Sequence, residues 1–553
     1  MKVGLLLCLM LSVSVVAQDM SNFKLLKATG GVPDEFNKSS AVKVKEDVKA
    51  VSKDQKRTDR KAEELFALES NYLIDGMLGS GTVLYNDELS SYVSKVADEI
   101  LKDDKELRSN LRFYILKSQV VNAFATDRGS IFITVGLLAQ IENEAQLAFV
   151  LSHEIVHYQK NHAKTGFVEN NRIEQGRGEY RRTKWNKEIS KNKYSKELEL
   201  EADVEGLKIF LNTKYNLKEI NSAFNVLQYA HLPIEDVAFD STYFNSEFFV
   251  LPQSFNKKEI KEIEAVDDED DENHTHPNIN KRRAIMADEL EGESNEGRVD
   301  FLLPEKEFYH AQVLARFELS YLYTKDRRYG EAIYNSYVLL KKYPDVEFLK
   351  TNIAYCLYAL SKYKNTGKIH SVLTDYDDVQ GESQRVYYLF DEIDKKTLST
   401  LAVKYLWELK TTIKENSFLD DIADHSIKEL LLESGARKLD YKKKYPKNKD
   451  GNEVVKDGEK PSKYDKIAKA RDDNAGYLKY AFVDLFKNEE FAELMNKYEK
   501  EYVKNAKGEE DTYKEERIKQ KKLEKNGRAL GIDKVVMVTP DYKKFNLRKK
   551  VVM

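Results

Sequence analysis

The feature that most constrains this chain is the run Gln146–His162, in which two histidines and a glutamate stand among apolar residues at helical spacing. His153, Glu154 and His157 form the pattern His-Glu-x-x-His. In a helix, side chains four positions apart project from one face, so the two imidazoles can share a metal ion. Glu154 lies beside them, where its carboxylate can take a proton from a metal-bound water. The run predicts one half of a zinc site.

A second run, Lys196–Gly206, supplies acidic side chains at the same spacing. Glu199 and Asp203 are four positions apart and face the same way on a helix. One carboxylate can complete a His/His/carboxylate ligand set, while the other accepts a hydrogen bond from a ligand histidine. A catalytic zinc ion has three protein ligands and one water. We therefore expect one zinc ion per chain, held between two helices.

Between residues 111 and 135 the apolar pattern becomes strand-like. Leu111–Leu116, Val120–Ala125 and Ser130–Val135 are rich in strand-forming residues, and a turn at Asp127–Gly129 precedes the last of them. This pattern predicts a small antiparallel sheet just ahead of the motif helix. The edge of such a sheet can hold a substrate as an added strand. Equally, any one of these strands can serve only to pack the helix.

Several short motifs around these residues together resemble the M-48 family of zinc metallopeptidases. The matching motifs are Asn122–Ala125, Gly136–Leu138, Asn143–Ala148, His153–His157 with His162 after it, and Glu199–Asp203. The resemblance implies that His153, His157 and Glu199 bind zinc. It also implies that Glu154 is the general base and that Asp203 orients a ligand.

Two further histidines have roles that the sequence leaves open. Thr275–Pro277, with Arg282 after it, matches another element that the family has near its active-site cleft. The resemblance therefore implies a catalytic role for His276, either in stabilising the oxyanion or in approaching the metal as a gate. The alternative is an ordinary loop histidine beside an acidic linker. His162 is expected to pack against the motif helix or cap its end, because three ligands are already assigned.

The remaining sequence predicts how the chain is divided. At 553 residues it is too long for one core. Lys2, an apolar stretch and small residues ending at Ala17 form the pattern of a cleaved signal peptide. We expect a signal peptide at 1–17, a flexible tether at 18–59, the zinc metallopeptidase domain at 60–295, helical tetratricopeptide-like repeats at 303–438, a linker at 439–467 and a charged helical C-terminal region at 468–553.

The repeat expectation rests on a local pattern. Its members are Leu319, Ser320, Tyr323, Ala332 and Pro344, spaced as in a tetratricopeptide repeat. In such repeats small residues let paired helices touch, and proline ends the second helix. One repeat cannot bury its own face, so later helical segments are expected to stack on it.

Composition excludes some classes of function. Charged residues make up 33% of the chain at a net charge of −4, which argues against a general nucleic-acid binder. Of the two cysteines, Cys8 lies in the signal segment, so the mature chain has the single thiol of Cys356 and no internal disulfide. After the signal, no stretch is apolar for long enough to span a bilayer. The mature protein is therefore expected to be soluble or peripheral to a membrane.

These patterns predict an α+β, mostly α-helical fold: a zincin-type peptidase domain with a small antiparallel sheet, followed by an α-helical repeat region. With the resemblance they predict an exported, periplasmic zinc endopeptidase that cleaves misfolded or stalled envelope proteins. Its helical repeats would bind protein substrates or envelope assembly machinery. The alternative is a chaperone-like or scaffold protein of envelope assembly, in which the repeats dominate and the zinc site is gated or rarely used. A merely structural motif helix would leave the spacing of Glu199 and Asp203 as coincidence.

Overall fold

The computed structural model describes residues 20–54, 56–177, 187–257, 259–264, 278–444 and 478–529. These residues are mostly helical with one small sheet, which confirms the predicted α+β, mostly α-helical class. The chain divides into two compact units. The first comprises Met1–Ser241, Gln253–Leu360 and Lys368–Glu392, and the second comprises Thr242–Pro252, Ser361–Gly367 and Ile393–Met553.

The helices and strands of the described residues follow one another along the chain in this order: α1 (Asp34–Asn37), α2 (Ser40–Ala50), α3 (Arg57–Gly79), β1 (Val83–Leu84), α4 (Glu88–Ile100), α5 (Lys105–Asn110), β2 (Arg112–Leu116), β3 (Ala123–Ala125), β4 (Ser130–Thr134), α6 (Val135–Gln140), α7 (Glu144–Gln159), α8 (His162–Glu174), α9 (Lys187–Leu211), α10 (Glu219–Gln228), α11 (Ile279–Glu289), α12 (Glu305–Lys325), α13 (Tyr329–Lys342), α14 (Glu347–Asn365), α15 (Gln384–Glu392), α16 (Lys395–Thr412), α17 (Ser417–Leu432) and α18 (Glu489–Ala529).

The sheet has the strand order β1-β2-β4-β3, and it is mixed rather than antiparallel as predicted. β3 and β4 form an antiparallel hairpin, but β4 lies beside β2 and runs parallel to it, with Phe113 opposite Ile131. The antiparallel prediction was wrong because the segment between β2 and β3 crosses the position beside β2. β4 later occupies that position. As a result β3 is an edge strand. β1, which the sequence did not predict, forms the other edge.

The segment expected to be a flexible tether contains α1 and α2, and both pack on the first unit. The ring of Phe36 in α1 lies 4.9 Å from that of Tyr114 in β2. Lys43 in α2 is only 3% exposed, and its ammonium group is paired with Asp75 of α3. A lysine is buried in this way only when its charge is paired. Because Lys43 counts as a polar residue, the composition of this segment did not reveal that one face of α2 packs against α3.

Helix α12 supports the sheet region of the first unit. Arg316 Nε donates a hydrogen bond to the carbonyl oxygen of Ala139 at the end of α6, at 3.1 Å. Glu318 is fully buried, and Lys117 after β2 lies 2.9 Å from its carboxylate. The boundary expected between residues 295 and 303 therefore falls inside one compact unit. Separate peptidase and repeat domains remain a prediction.

Helices α12 and α13 pack side by side and are joined by a short turn. Ala332 is fully buried, and α13 ends two residues before Pro344. Asn352 of α14 donates to the carbonyl oxygen of Ser320 at 3.1 Å and accepts from the Thr324 hydroxyl at 2.9 Å. Small polar side chains thus let three successive helices approach closely. The local pairing agrees with the predicted pattern, while the assignment as a tetratricopeptide repeat remains a prediction.

The second unit is built from α16, α17 and α18. Trp407 of α16 is fully buried, donates to the carbonyl oxygen of Ala423 at 3.1 Å and packs edge-on against Phe491, at 5.1 Å between ring centroids. Lys404 is 1% exposed and lies 2.7 Å from the carboxylate of Asp484. This unit therefore has its own apolar core and its own buried ion pair.

Some predictions fall outside the described residues. They concern the signal peptide at 1–17, His276, most of the linker at 439–467 and the last part of the C-terminal region. Among the residues that the structure does describe, no helix is both long enough and apolar enough to cross a membrane.

Candidate metal centre and cleft

The motif helix α7 is fixed firmly at its N-terminus. Asn143 caps it, because its side-chain oxygen accepts from the main-chain N–H of Gln146 at 3.0 Å. Glu144 in the first turn is fully buried and accepts hydrogen bonds from the hydroxyls of Tyr92 and Tyr215, both at 2.7 Å. A carboxylate here also interacts favourably with the helix dipole. These buried contacts thus fix the direction of α7, and with it the direction in which the motif side chains project.

Two turns into α7, three donor atoms converge. His153 Nε2 and His157 Nε2 are 3.0 Å apart, and the Glu199 carboxylate of α9 lies 3.7 Å from the first and 3.5 Å from the second. Donors about 2.0–2.1 Å from a tetrahedral zinc ion are about 3.3 Å from one another. The observed separations fit this requirement, and the two nitrogens and one oxygen are typical of catalytic zinc. These three residues could therefore hold the predicted ion.

Behind this cluster, Asp203 holds the other nitrogen of His153. Its Oδ1 lies 2.9 Å from His153 Nδ1, and Arg282 of α11 binds both its oxygens at 2.7 Å. Asp203 is fully buried. Although burial opposes it, hydrogen bonds from Arg282 and His153 hold the pKa of Asp203 below its ordinary value. Asp203 does not line the cleft, so its place suits orientation of a ligand rather than contact with a substrate.

The other nitrogen of His157 is held by a residue whose role the sequence analysis missed. His162 Nδ1 lies 3.0 Å from His157 Nδ1, and His162 Nε2 lies 3.3 Å from Glu201. If His157 binds metal through Nε2, its Nδ1–H donates to His162, which in turn donates to Glu201. Asn161, with a left-handed φ of 54°, turns the chain so that His162 comes back onto α7. In the sequence, the five-residue spacing between His157 and His162 was the pattern from which this contact could have been predicted.

Replacing His162 with alanine is expected to lower zinc affinity by about 10- to 100-fold, the usual effect of losing a group that orients a metal ligand. Zinc titration against a competing chelator measures this change. His425→Ala is the matched control, because His425 is exposed and lies in the second unit. Equal zinc affinity in wild type and His162→Ala would contradict an orienting role.

Glu154 stands between the ligand cluster and the sheet edge. It is 7% exposed, and the main-chain N–H of Ala125 in β3 donates to its carboxylate. Burial raises the pKa of Glu154 to about 7. Burial, together with the neighbouring His153, lowers the pKa of His157 to about 3, which keeps that imidazole in the neutral form that binds metal. A carboxylate here is placed to exchange a proton with a water on the metal.

Gly206 allows α9 to lie directly against α7. A β-carbon at this position would stand 3.0 Å from His153 Cα, 3.1 Å from its main-chain nitrogen and 3.2 Å from the carbonyl carbon of Ser152. These are backbone atoms of a buried helix, which have little freedom to move. The close helix contact therefore brings Glu199 and Asp203 within reach of the motif histidines.

Gly206→Ala is accordingly expected to cost about 1–3 kcal/mol of stability, as over-packing does, and to weaken zinc binding. Thermal unfolding and zinc titration measure the two effects. Gly166→Ala in α8 is the control, because its β-carbon would meet only the end of the Leu198 side chain at 3.5 Å. The idea fails if both variants behave alike.

A cavity of about 1020 Å³ opens in front of the ligand cluster, with α7, α8, α9 and α10 around it and β3 along one side. Asn122 and Thr126, on either side of β3, are hydrogen-bonded to β4. Because these bonds alternate along an antiparallel strand, the main-chain groups of Ala123 and Ala125 point away from β4. Of these groups Ala125 N–H donates to Glu154, so the strand edge that borders the cleft is already partly engaged beside the candidate metal ligands.

The site resembles those of one class of enzymes, since a buried His-Glu-x-x-His helix with a third carboxylate beside an edge strand is typical of metallopeptidases. Comparison with known proteins agrees. Residues 84–175 match the model of peptidase family M48, so the resemblance inferred from the sequence is confirmed over this region. His153, Glu154 and His157 lie within the match, and Glu199 lies beyond it.

Curated relatives give a consistent result. The beta-barrel assembly-enhancing protease of Yersinia pestis is 26% identical over 103 residues, which cover 19% of this chain and 21% of that protein. The protein of the same name from Escherichia coli strain K12 is 25% identical over 92 residues, covering 17% and 19%. A putative beta-barrel assembly-enhancing protease of Vibrio cholerae is 26% identical over 87 residues, covering 16% and 18%. The matching segment spans about a fifth of the length of these relatives.

Proposed function

We propose that this protein is an exported zinc endopeptidase that hydrolyses peptide bonds in extended polypeptides. The observation that carries the proposal is the convergence of His153, His157 and Glu199 beside buried Glu154, in a cleft bordered by the edge strand β3. A match to peptidase family M48 over residues 84–175 supports the same class. A scaffold in which only the helices act has no need of a carboxylate at Glu154.

In the proposed mechanism, each group has a separate task. A zinc ion bound by His153, His157 and Glu199 would supply a Lewis acid for the peptide carbonyl and the attacking water. Glu154 takes the proton from that water and passes it to the leaving amine. The outward main-chain groups of Ala123 and the carbonyl oxygen of Ala125 hold the substrate backbone as an added strand, because Ala125 N–H is already bonded to Glu154. Asp203 and His162 keep the two imidazoles in place. His276 is proposed to stabilise the oxyanion or to gate the metal.

The proposed substrates are misfolded or stalled envelope proteins, and the proposed location is the periplasm. An added strand is read through its backbone, so unfolded segments of many sequences can bind while folded proteins present no free strand. The signal-peptide pattern at 1–17 supports export. The relatives' printed name, beta-barrel assembly-enhancing protease, supports a link to envelope assembly. Helices α12 to α14 are proposed to bind partner proteins, with the mature chain peripheral to a membrane.

Removal of zinc tests this proposal. A chelator is expected to abolish cleavage of an unfolded β-barrel protein, because the remaining side chains cannot polarise the peptide carbonyl. Added zinc should restore cleavage, and metal analysis should find one zinc per chain, lost in His157→Ala. Calcium, which prefers oxygen ligands, is the matched control and should not restore it. Cleavage that persists in zinc-free protein would refute the proposed chemistry.

A further inference from the structure

A second cavity of about 590 Å³ lies in the same unit as the metal centre, and nothing in the proposed mechanism uses it. It is bounded by α12 and α13, by the loop after α10, and by residues 374–387. Val121 lines both cavities. On the opposite wall, Leu227 near the end of α10 lines the first cavity, and Ala230 and His231 just after it line the second. The two cavities are therefore neighbours that share Val121.

The shared wall at Val121 leads directly into the sheet edge. Val121 precedes Ala123 by two residues and Ala125 by four, which is about 7–13 Å at ~3.3 Å per residue of an extended chain. The preceding turn is held in place, because Gly136 N–H donates to the carbonyl oxygen of Ser118 at 2.9 Å. A β-carbon at Gly136 would also come within 2.3 Å of the carbonyl oxygen of Gln119. A strand laid along β3 is thus guided from one cavity towards the other.

The lining of the second cavity indicates what it would accept. The rings of Tyr323, Tyr334 and Tyr387 and the side chains of Val338 and Val379 make much of its wall apolar and aromatic. Gly330 lets the Tyr387 ring lie against α13, since a β-carbon there would be 2.6 Å from it. Aromatic walls of this kind suit another large aromatic side chain.

The charges in the cavity wall are largely paired. Arg316 forms an ion pair with Glu235, and Arg328 lies 2.7 Å from Glu331. Asp378 is exposed at the rim. Gln119 Oε1, buried at the shared wall, has no hydrogen-bond partner in the described part of the chain, and such an atom can accept from a peptide N–H. The cavity therefore favours an uncharged polypeptide segment over a charged small molecule.

We propose that the second cavity is a specificity subsite for the polypeptide that lies along β3. It receives a large aromatic side chain of the substrate. That side chain lies about two residues from the substrate residue that faces Ala123, and about four from the one that faces Ala125. This inference rests on the proposed peptidase function and adds a substrate preference to it. The preference is one-sided, because only the beginning of β3 leads to the second cavity, while its end runs into the turn at 126–129.

The test uses zinc-loaded full-length protein and a set of fluorogenic decapeptides with one serine replaced by tryptophan at each position in turn. Tryptophan two to four residues from the scissile bond, on one side only, is expected to raise kcat/KM by about tenfold through burial of its ring. Equal gains on both sides, or no gain at any position, would overturn the subsite. Absence of cleavage of every peptide would instead count against the proposed peptidase itself.

Variants of the cavity provide the second arm. Val379→Trp fills the cavity from a partly exposed loop position and should reduce the tryptophan preference, measured as the ratio of kcat/KM for the tryptophan and all-serine peptides, to about one. Val379→Arg should act in the same way through charge. Val299→Trp, at a position 43% exposed and outside the lining of this cavity, is the matched control and should keep the preference. A preference that survives both Val379 substitutions would refute the proposal.

Discussion

Glu154→Gln is expected to lower kcat/KM for peptide cleavage by about 10²- to 10⁴-fold, the usual contribution of a general base. Glutamine has nearly the same shape and can still accept the hydrogen bond from Ala125, but it cannot take a proton from water. The three metal donors are unchanged, so zinc content should stay at one per chain. Fluorogenic peptide kinetics and metal analysis of the same preparation measure both quantities.

Glu205→Gln is the matched control, because Glu205 lies on the same helix as Glu199 but forms its ion pair with the surface Lys208, at 2.8 Å. It should retain full activity. Undiminished cleavage by Glu154→Gln would remove the general-base role. Equal rescue of a deletion strain by wild type and Glu154→Gln would favour the scaffold alternative, in which binding rather than cleavage is the function.

Arg282→Met is expected to destabilise the metal-free protein by about 3–5 kcal/mol, because it leaves the buried Asp203 carboxylate without its main partner. The guanidinium also packs 5.0 Å from the Phe224 ring centroid, a contact that methionine only partly replaces. Since Asp203 orients His153, zinc affinity should fall as well. Urea unfolding of chelator-treated protein and zinc titration measure the two losses.

Two further variants test whether loss of the Asp203–Arg282 ion pair causes the fall in stability. Arg283→Met removes the neighbouring arginine, which contacts the Asn225 amide, and should cost well under the Arg282 value. Asp203→Asn combined with Arg282→Met removes both charges and should recover much of the lost stability, because no unpaired charge stays buried. If the double variant is no more stable than Arg282→Met, the ion pair is not the cause of the loss.

The candidate ligand cluster of His153, His157 and Glu199 could be proposed from the sequence because it depends on spacing within helices. His153 with His157, and Glu199 with Asp203, are each four residues apart, and one helical turn determines that they share a face. The resemblance then assigned the separate roles of Glu199 and Asp203. The structure brings the two helices together through Gly206, whose importance no local pattern reveals, because the atoms it avoids belong to a distant helix.

Other features escaped prediction because they depend on non-local contacts. The parallel pairing of β2 with β4 follows from strand order, which the alternation of apolar residues does not encode. The buried Lys43 looks like surface until Asp75 is seen beside it. His162 was expected to pack against the motif helix or cap its end, and its specific contact with His157 depends on the sharp turn at Asn161. Each case needed the three-dimensional position of a partner.

The contacts between α12 and α6 also affect the order in which parts of the first unit fold during synthesis. The sheet, α6 and the motif helix are synthesised first, but the residues that cover Ala139 and pair with Lys117 come more than a hundred positions later. Contacts so distant in sequence form late and slowly. The sheet and α6 therefore reach their final packing only after α12 has been synthesised.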